Sequence, residues 1–126
     1  MQDFRNLRVW QLAHALTKDV YKVTQNFPKS EIYGLRSQLR RAAVSVPTNI
    51  VEGICRRTDR GTRAFLDIAS GSAGEVEYLV LLSTEQGLIQ EATAEHVLMP
   101  RIGEVRKMLN GFIKRLSPEA DRRRRP

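Results

Sequence analysis

The chain has 126 residues and a formal net charge of +7, from 21 lysines and arginines against 14 acids. That length suits one domain around one core, and the balance of apolar and charged residues excludes a chain that is disordered throughout or built to sit in a membrane. The longest apolar run, Tyr78 to Leu82, falls far short of the roughly 20 residues that cross a bilayer, and the first residues lack the order of a signal peptide. A cytoplasmic protein with no membrane partner is therefore expected, and the single Cys55, beside Arg56 and Arg57, reads as a free thiol in a reducing compartment.

The first periodic segment places Val9, Leu12, Leu16, Val20, Val23 and Phe27 three or four residues apart, which is one face of a helix ended by Pro28. Leu7, Trp10, His14 and Tyr21 lie about 100° or more from the centre of that face and form an aromatic flank. The second segment has Leu35, Leu39, Ala42, Val46 and Ile50 as its stripe, and Gly53 is expected to cap it in the left-handed conformation. A further apolar set, Val44, Pro47, Val51 and Ile54, falls opposite or beside that stripe.

Pro47 removes the backbone bond to the Ala43 carbonyl and costs about 3 kcal/mol in a helix interior. The fragment after it is too short for a stable helix of its own, so one kinked helix is expected rather than two. The third segment opens at Thr58 as N-cap and runs through Phe65, Ala69, Ser72, Val76, Leu79, Val80 and Ser83 to a stop at Gly87. Its small-residue run from Ala69 to Gly74 predicts close approach of a neighbouring helix. The fourth segment carries Leu98, Ile102, Val105, Leu109, Phe112 and Leu116.

No stretch alternates with period two. The pattern predicts an all-α, antiparallel up-down four-helix bundle over residues 1–116, followed by a basic and disordered tail, residues 117–126, that contains Arg122 to Arg125. Two helices with surplus apolar faces point to a homo-oligomer whose interface includes Trp10, His14, Tyr21, Val44, Pro47, Val51 and Ile54. The alternative is that these side chains widen the bundle's own core.

Charge is segregated along the chain. From Arg36 to Arg63 there are seven arginines against Glu52 and Asp59, while Ala64 to Pro100 holds six acids and no lysine or arginine. A basic surface of that density fits a polyanion, and nucleic acid is the commonest in a cell. Arg36, Arg40, Arg41, Arg56, Arg57, Arg60 and Arg63 are the expected phosphate contacts, with Trp10 and Tyr33 as stacking partners wherever they are exposed. The competing reading is a scaffold whose basic surface meets an acidic protein, including its own third helix.

Catalytic and metal chemistry find little support. A di-metal carboxylate bundle needs Glu-x-x-His on two helices, and neither His14 nor His96 has an acid three residues before it. No Gly-rich phosphate loop follows a strand, and no Ser/His/Asp order stands out. Arg8 and His14 resemble in spacing an all-helical ribonuclease signature, but the six steps between them set their side chains about 120° apart. No catalytic residue, metal or cofactor is assigned, and ribonuclease activity stays a remote alternative to binding.

The sequence Asp3-Phe4-Arg5-Asn6-Leu7-Arg8-Val9-Trp10-Gln11, the Phe27-Pro28 stop, Tyr33-Gly34-Leu35 with Gln38 to Ala43, Ser45-Val46-Pro47, Asn49-Ile50 and Glu52-Gly53 form one set of motifs. Together with "RKMLNGFIKRL" near the end of the fourth segment, they resemble the four-helix-bundle proteins encoded in intervening sequences of bacterial 23S ribosomal RNA genes. The resemblance covers Asp3 to about Leu116. It implies an up-down bundle, a homopentamer and no enzymatic activity, and it extends to the accessory variability proteins of diversity-generating retroelements, which bind nucleic acid and a reverse transcriptase. Two features depart from the family pattern. Thr58 is followed by Gly61 where a capping box would have glutamate, so this helix start is expected to fray, and Pro100 leaves the boundary near Met99 open.

Overall fold

A computed structural model describes residues 3–117, and among them there are four long helices and no strand. They are α1 (Arg8–Thr24), α2 (Leu35–Ile54), α3 (Asp59–Glu85) and α4 (Met99–Arg115), with 3-10 turns at Phe4–Asn6 and Lys29–Glu31. The expected basic tail with Arg122 to Arg125 lies outside the described residues.

The buried stripes meet in one core, where Leu16, Leu39, Ile50, Leu66, Leu98, Ile102 and Leu109 have no solvent exposure. Phe27 lies beyond the end of α1 yet is buried, because the turn before Pro28 folds its ring back onto the cluster. On α3 the core face is rotated by one residue at its start. Leu66, not Phe65, is fully buried, and Ala73 joins Ala69, Val76, Leu79, Val80 and Ser83. Ser72 is half-buried and its hydroxyl bonds to that of Ser45 on α2 at 2.7 Å.

α2 continues as one helix through Pro47. A proline there leaves the Ala43 carbonyl without its usual N–H, and a buried acceptor left bare costs about 1 to 3 kcal/mol. α1 supplies the remedy. The Thr17 hydroxyl lies 2.9 Å from the Ala13 carbonyl of its own helix and 3.1 Å from the Ala43 carbonyl of α2. Its single hydrogen is shared between them or alternates. Ala42 and Ala43 are buried, and their small side chains let α1 come close enough for this bond.

The glycines divide differently from the sequence expectation. Gly53 is not a left-handed cap: it lies inside α2, and among the described residues only Gly87 has positive φ, at 76°. A Cβ on Gly53 would stand 3.2 Å from the Thr62 carbonyl and 3.3 Å from the Phe65 Cβ, so this glycine exists for the contact between α2 and α3. The Thr62 hydroxyl donates to the Gly53 carbonyl at 2.8 Å across the same contact. Gly87 ends α3, with the Leu88 N–H on the Ser83 carbonyl at 2.8 Å and the Gly87 N–H on the Thr84 carbonyl at 3.0 Å. That pair of bonds is a Schellman cap.

Gly71 and Gly74 do not serve a close approach within the chain. Gly71 has open space where its Cβ would be, and Gly74 has only an Arg106 nitrogen at 4.0 Å. Thr58 caps α3 as expected, accepting the Gly61 N–H at 3.0 Å.

The approach to α4 resolves the boundary left open at Met99. Helical turns begin at Glu91–Thr93, widen into a π turn over Ala94–Leu98, and continue as α4. The Met99 N–H reaches back to the Ala94 carbonyl. After this wide turn Pro100 falls in the first turn of α4, where its fixed φ suits the helix.

Two stability measurements follow from these contacts. Thr17→Val is expected to lower unfolding free energy by about 1 kcal/mol in urea titration, and its cost to shrink in a Pro47→Ala background, where residue 47 again has an N–H for Ala43. Gly71→Ala is expected to raise stability by roughly 0.5 to 1 kcal/mol, while Gly87→Ala lowers it, since only the second forces a side chain into positive φ.

Candidate nucleic-acid interface

The seven arginines singled out by sequence do not form one array. α2 holds 20 residues, a rise of about 30 Å. Arg36, Arg40 and Arg41 sit on its first half, whereas Arg56, Arg57 and Arg60 lie past its other end.

Three of the seven have work inside the fold. Arg40 donates through Nε to the Thr24 hydroxyl at 2.8 Å and through Nη2 to the Tyr21 carbonyl at 3.1 Å, with its guanidinium 4.4 Å from the Tyr21 ring centroid. It thereby ties the last turn of α1, where carbonyls lack helical partners, to α2. Arg63 does the same for the end of α4, donating to the Leu116 carbonyl at 2.7 Å. Arg56 pairs with Glu52 at 3.6 Å and lies over the Phe65 ring at 5.1 Å. Arg36, Arg41, Arg57 and Arg60 have no protein acceptor among the described residues; the last three are exposed and Arg36 is half-buried.

Sequence reasoning missed two lysines that the fold adds to this set. An open pocket of about 530 Å³ between α1 and α2 is lined by Thr17, Lys18, Tyr21, Lys22, Gln25, Arg36 and Arg40. It gathers four cations and no acid. The signal was legible in principle: Lys18 and Lys22 stand four apart on one helix, as Arg36 and Arg40 do on the next, and each such pair shares a face. A groove of about 560 Å³ between α1 and α4 has a more mixed lining, with Leu7, Leu12 and Phe112 beside Arg8, Lys107, Arg115 and Glu104.

Acids of α3 are largely left to solvent. Glu77 pairs with Arg106 of α4 at 3.1 Å, while Asp67, Glu75 and Glu85 are exposed. Asp19 and Arg101 form a further half-buried pair at 3.2 Å, an ion pair without an aligned hydrogen bond. Thus the basic residues of α2 are not neutralised by the acidic helix of the same chain.

The residues expected at an oligomer interface have varied surroundings. Pro47 is already buried within the chain. Trp10 is half-buried, stacked on His14 with centroids 4.8 Å apart and meeting the edge of Phe4 at 4.9 Å. The 3-10 turn at Phe4–Asn6 thus carries an aromatic ring onto the flank of α1. Tyr21 and Val44 stay 43% and 38% exposed, His14 is exposed, and Val51 and Ile54 are half-buried. Of the two proposed stacking side chains, Tyr33 at 94% exposure is free to stack and Trp10 is not.

A second apolar surface went unnoticed in the sequence. On α3, Ile68, Tyr78 and Leu81 are 52%, 59% and 47% exposed, and the exposed Gly71 and Glu75 lie between Ile68 and Tyr78 on the same face.

Arg8 and His14 face different surroundings, the first in the groove with α4 and the second beside Trp10, Val44 and Pro47. Among the described residues no group of three or more His, Cys, Asp or Glu side chains could hold a metal, and no helix is long and apolar enough to cross a membrane. Cys55 is exposed and unpaired.

Residues 5–111 match the family described as 23S rRNA-intervening sequence protein. Among solved structures, a protein of unknown function from the S23 ribosomal protein family of Bacteroides thetaiotaomicron is similar over 84% of this chain and 98% of its own, with a TM-score of 0.75 and 23% identity. That likeness is one of fold. No curated protein matches the sequence.

Because Arg40 holds a helix end and Arg41 points to solvent, their removal should separate. Arg40→Ala is expected to destabilise the fold by about 1 to 2 kcal/mol in denaturant titration, through loss of charge-assisted bonds to Thr24 and Tyr21, and Arg41→Ala by less than about 0.5 kcal/mol.

Proposed function

The chain belongs to the 23S rRNA-intervening sequence protein family, and on that footing we propose that it is an oligomeric helical bundle that binds the phosphate backbone of RNA or DNA without catalysis. The observation that carries this reading is the set of arginines left without a protein acceptor, Arg36 and Arg41 on the first half of α2 and Arg57 and Arg60 beyond its other end. Two such pairs set about the length of α2 apart, roughly 30 Å, suit a long polyanion better than a single small anion. Exposed Tyr33 adds a ring on which an unpaired base stacks. The protein acts inside the cell, where such polyanions are found.

An antiparallel up-down order is supported by pairings that run in opposite senses along neighbouring helices: Ser45 with Ser72 and Gly53 with Thr62, Arg106 with Glu77 and Leu116 with Arg63. Self-association is favoured by the uncovered face of α3 with Ile68, Tyr78 and Leu81, and by exposed Val44 on α2. Five copies is the number the family resemblance implies. Exposed acids beside that α3 face also favour the second reading, a scaffold that docks a protein partner.

Electrophoretic mobility shift with single-stranded and duplex probes at two salt concentrations tests the binding. Affinity is expected to fall steeply with salt, and Arg57→Glu with Arg60→Glu to weaken every sequence alike, by tenfold or more. No shift at low salt, or no response to the charge reversal, removes the reading and leaves the scaffold. Light scattering after size exclusion is expected to give a mass several times that of one chain, and a strict monomer refutes the assembly.

A further inference from the structure

The pocket between α1 and α2 holds more positive charge than the fold can use. Lys18 and Lys22 come from α1 and Arg36 and Arg40 from α2, and no carboxylate lines the space they share. Four like charges brought together by helix packing repel one another, so the arrangement favours a bound anion.

One of the four is fixed in place. Arg40 is held by the Thr24 hydroxyl, the Tyr21 carbonyl and the Tyr21 ring, which engage its Nε, its Nη2 and one face, while its Nη1 has no protein acceptor. A guanidinium immobilised in this way offers its remaining donor without losing further side-chain freedom on binding. Lys18 and Lys22 are exposed, carry no ion pair, and stand on the same face of α1. They are unpaired point charges opposite a fork held in place.

We infer that this pocket is a discrete binding site for linked phosphoryl groups, with Arg40 as its fixed wall and Lys18, Lys22 and Arg36 closing on the oxygens. Several cations against no acid match a polyvalent anion rather than a single carboxylate, and a space of about 530 Å³ admits more than one phosphoryl group. Consecutive phosphates of a nucleic-acid backbone and the phosphates of a small polyphosphate share this chemistry. The inference deepens the nucleic-acid reading by naming the place where the backbone is gripped most tightly, and it adds two residues of α1 that lie outside the arginine set.

The test uses the full chain, calorimetric titration with pyrophosphate, and a parallel titration with a short single-stranded RNA. Lys18→Ala with Lys22→Ala is expected to weaken pyrophosphate binding at least tenfold. It is also expected to lower the salt slope for RNA by between one and two, as each lost phosphate contact contributes about 0.7 for a single strand. Lys107→Ala with Lys114→Ala removes the same charge from α4 and is expected to leave pyrophosphate affinity unchanged. Arg36→Gln, which removes a guanidinium with no protein acceptor among the described residues, is the second variant if the lysine pair fails to fold. Pyrophosphate that does not bind, or that binds the α1 and α4 variants equally, overturns the site. Failure of the wider reading looks different: RNA that does not bind while pyrophosphate still depends on Lys18 and Lys22 ends the nucleic-acid proposal and assigns the pocket to small polyphosphates.

Discussion

The bundle depends on the passage of α2 through its middle with a proline inside it. α2 packs on α1 along one side and on α3 along another, so an unpaired backbone group on either of those sides is shut away from water. The hydroxyl of Thr17 answers the bare carbonyl of Ala43, and this is possible only because Ala42 and Ala43 carry almost no side chain at that crossing. The contact with α3 follows the same logic at Gly53, where absence of a side chain admits the Thr62 carbonyl and the Thr62 hydroxyl reaches back. Both neighbours of α2 therefore contribute a threonine hydroxyl to its backbone, and the residues they approach are the smallest available.

Helix ends set the fate of the basic residues. The last carbonyls of a helix carry partial negative charge and lack partners, and arginine satisfies both needs with several donors on one long stem. Arg40 and Arg63 take that part for α1 and α4. The subset with no such duty is left uncovered by the chain itself, and tertiary packing brings lysines of α1 beside Arg36 and Arg40. An arginine-rich segment thus mixes two kinds of residue, and charge alone does not sort them.

Apolar surface is divided in a comparable way. The aromatic flank of α1 is partly covered by Phe4 from the turn ahead of the helix, and Pro47 is covered by the chain itself. By contrast the outer face of α3 keeps Ile68, Tyr78 and Leu81 in contact with solvent, with Gly71 leaving a flat spot between them. A face of that kind has no role in holding one chain together.

The sequence by itself determined the number of long helices and the rough span of each, because each one buries a stripe that recurs every three or four residues, and because Thr58, Gly87 and Pro28 punctuate them with local backbone chemistry. It also marked the segment in which cations concentrate. Only the tertiary structure decided that Gly53 makes a contact where a cap was expected, that Leu66 displaces Phe65 from the core, and that a π turn absorbs Pro100. It likewise decided which arginines are spent on helix ends and that Lys18 and Lys22 join Arg36. Periodicity and caps act over a single turn and are written in neighbouring residues, whereas a side chain's partner on another helix depends on crossing distance and rotation, which no one-dimensional pattern contains.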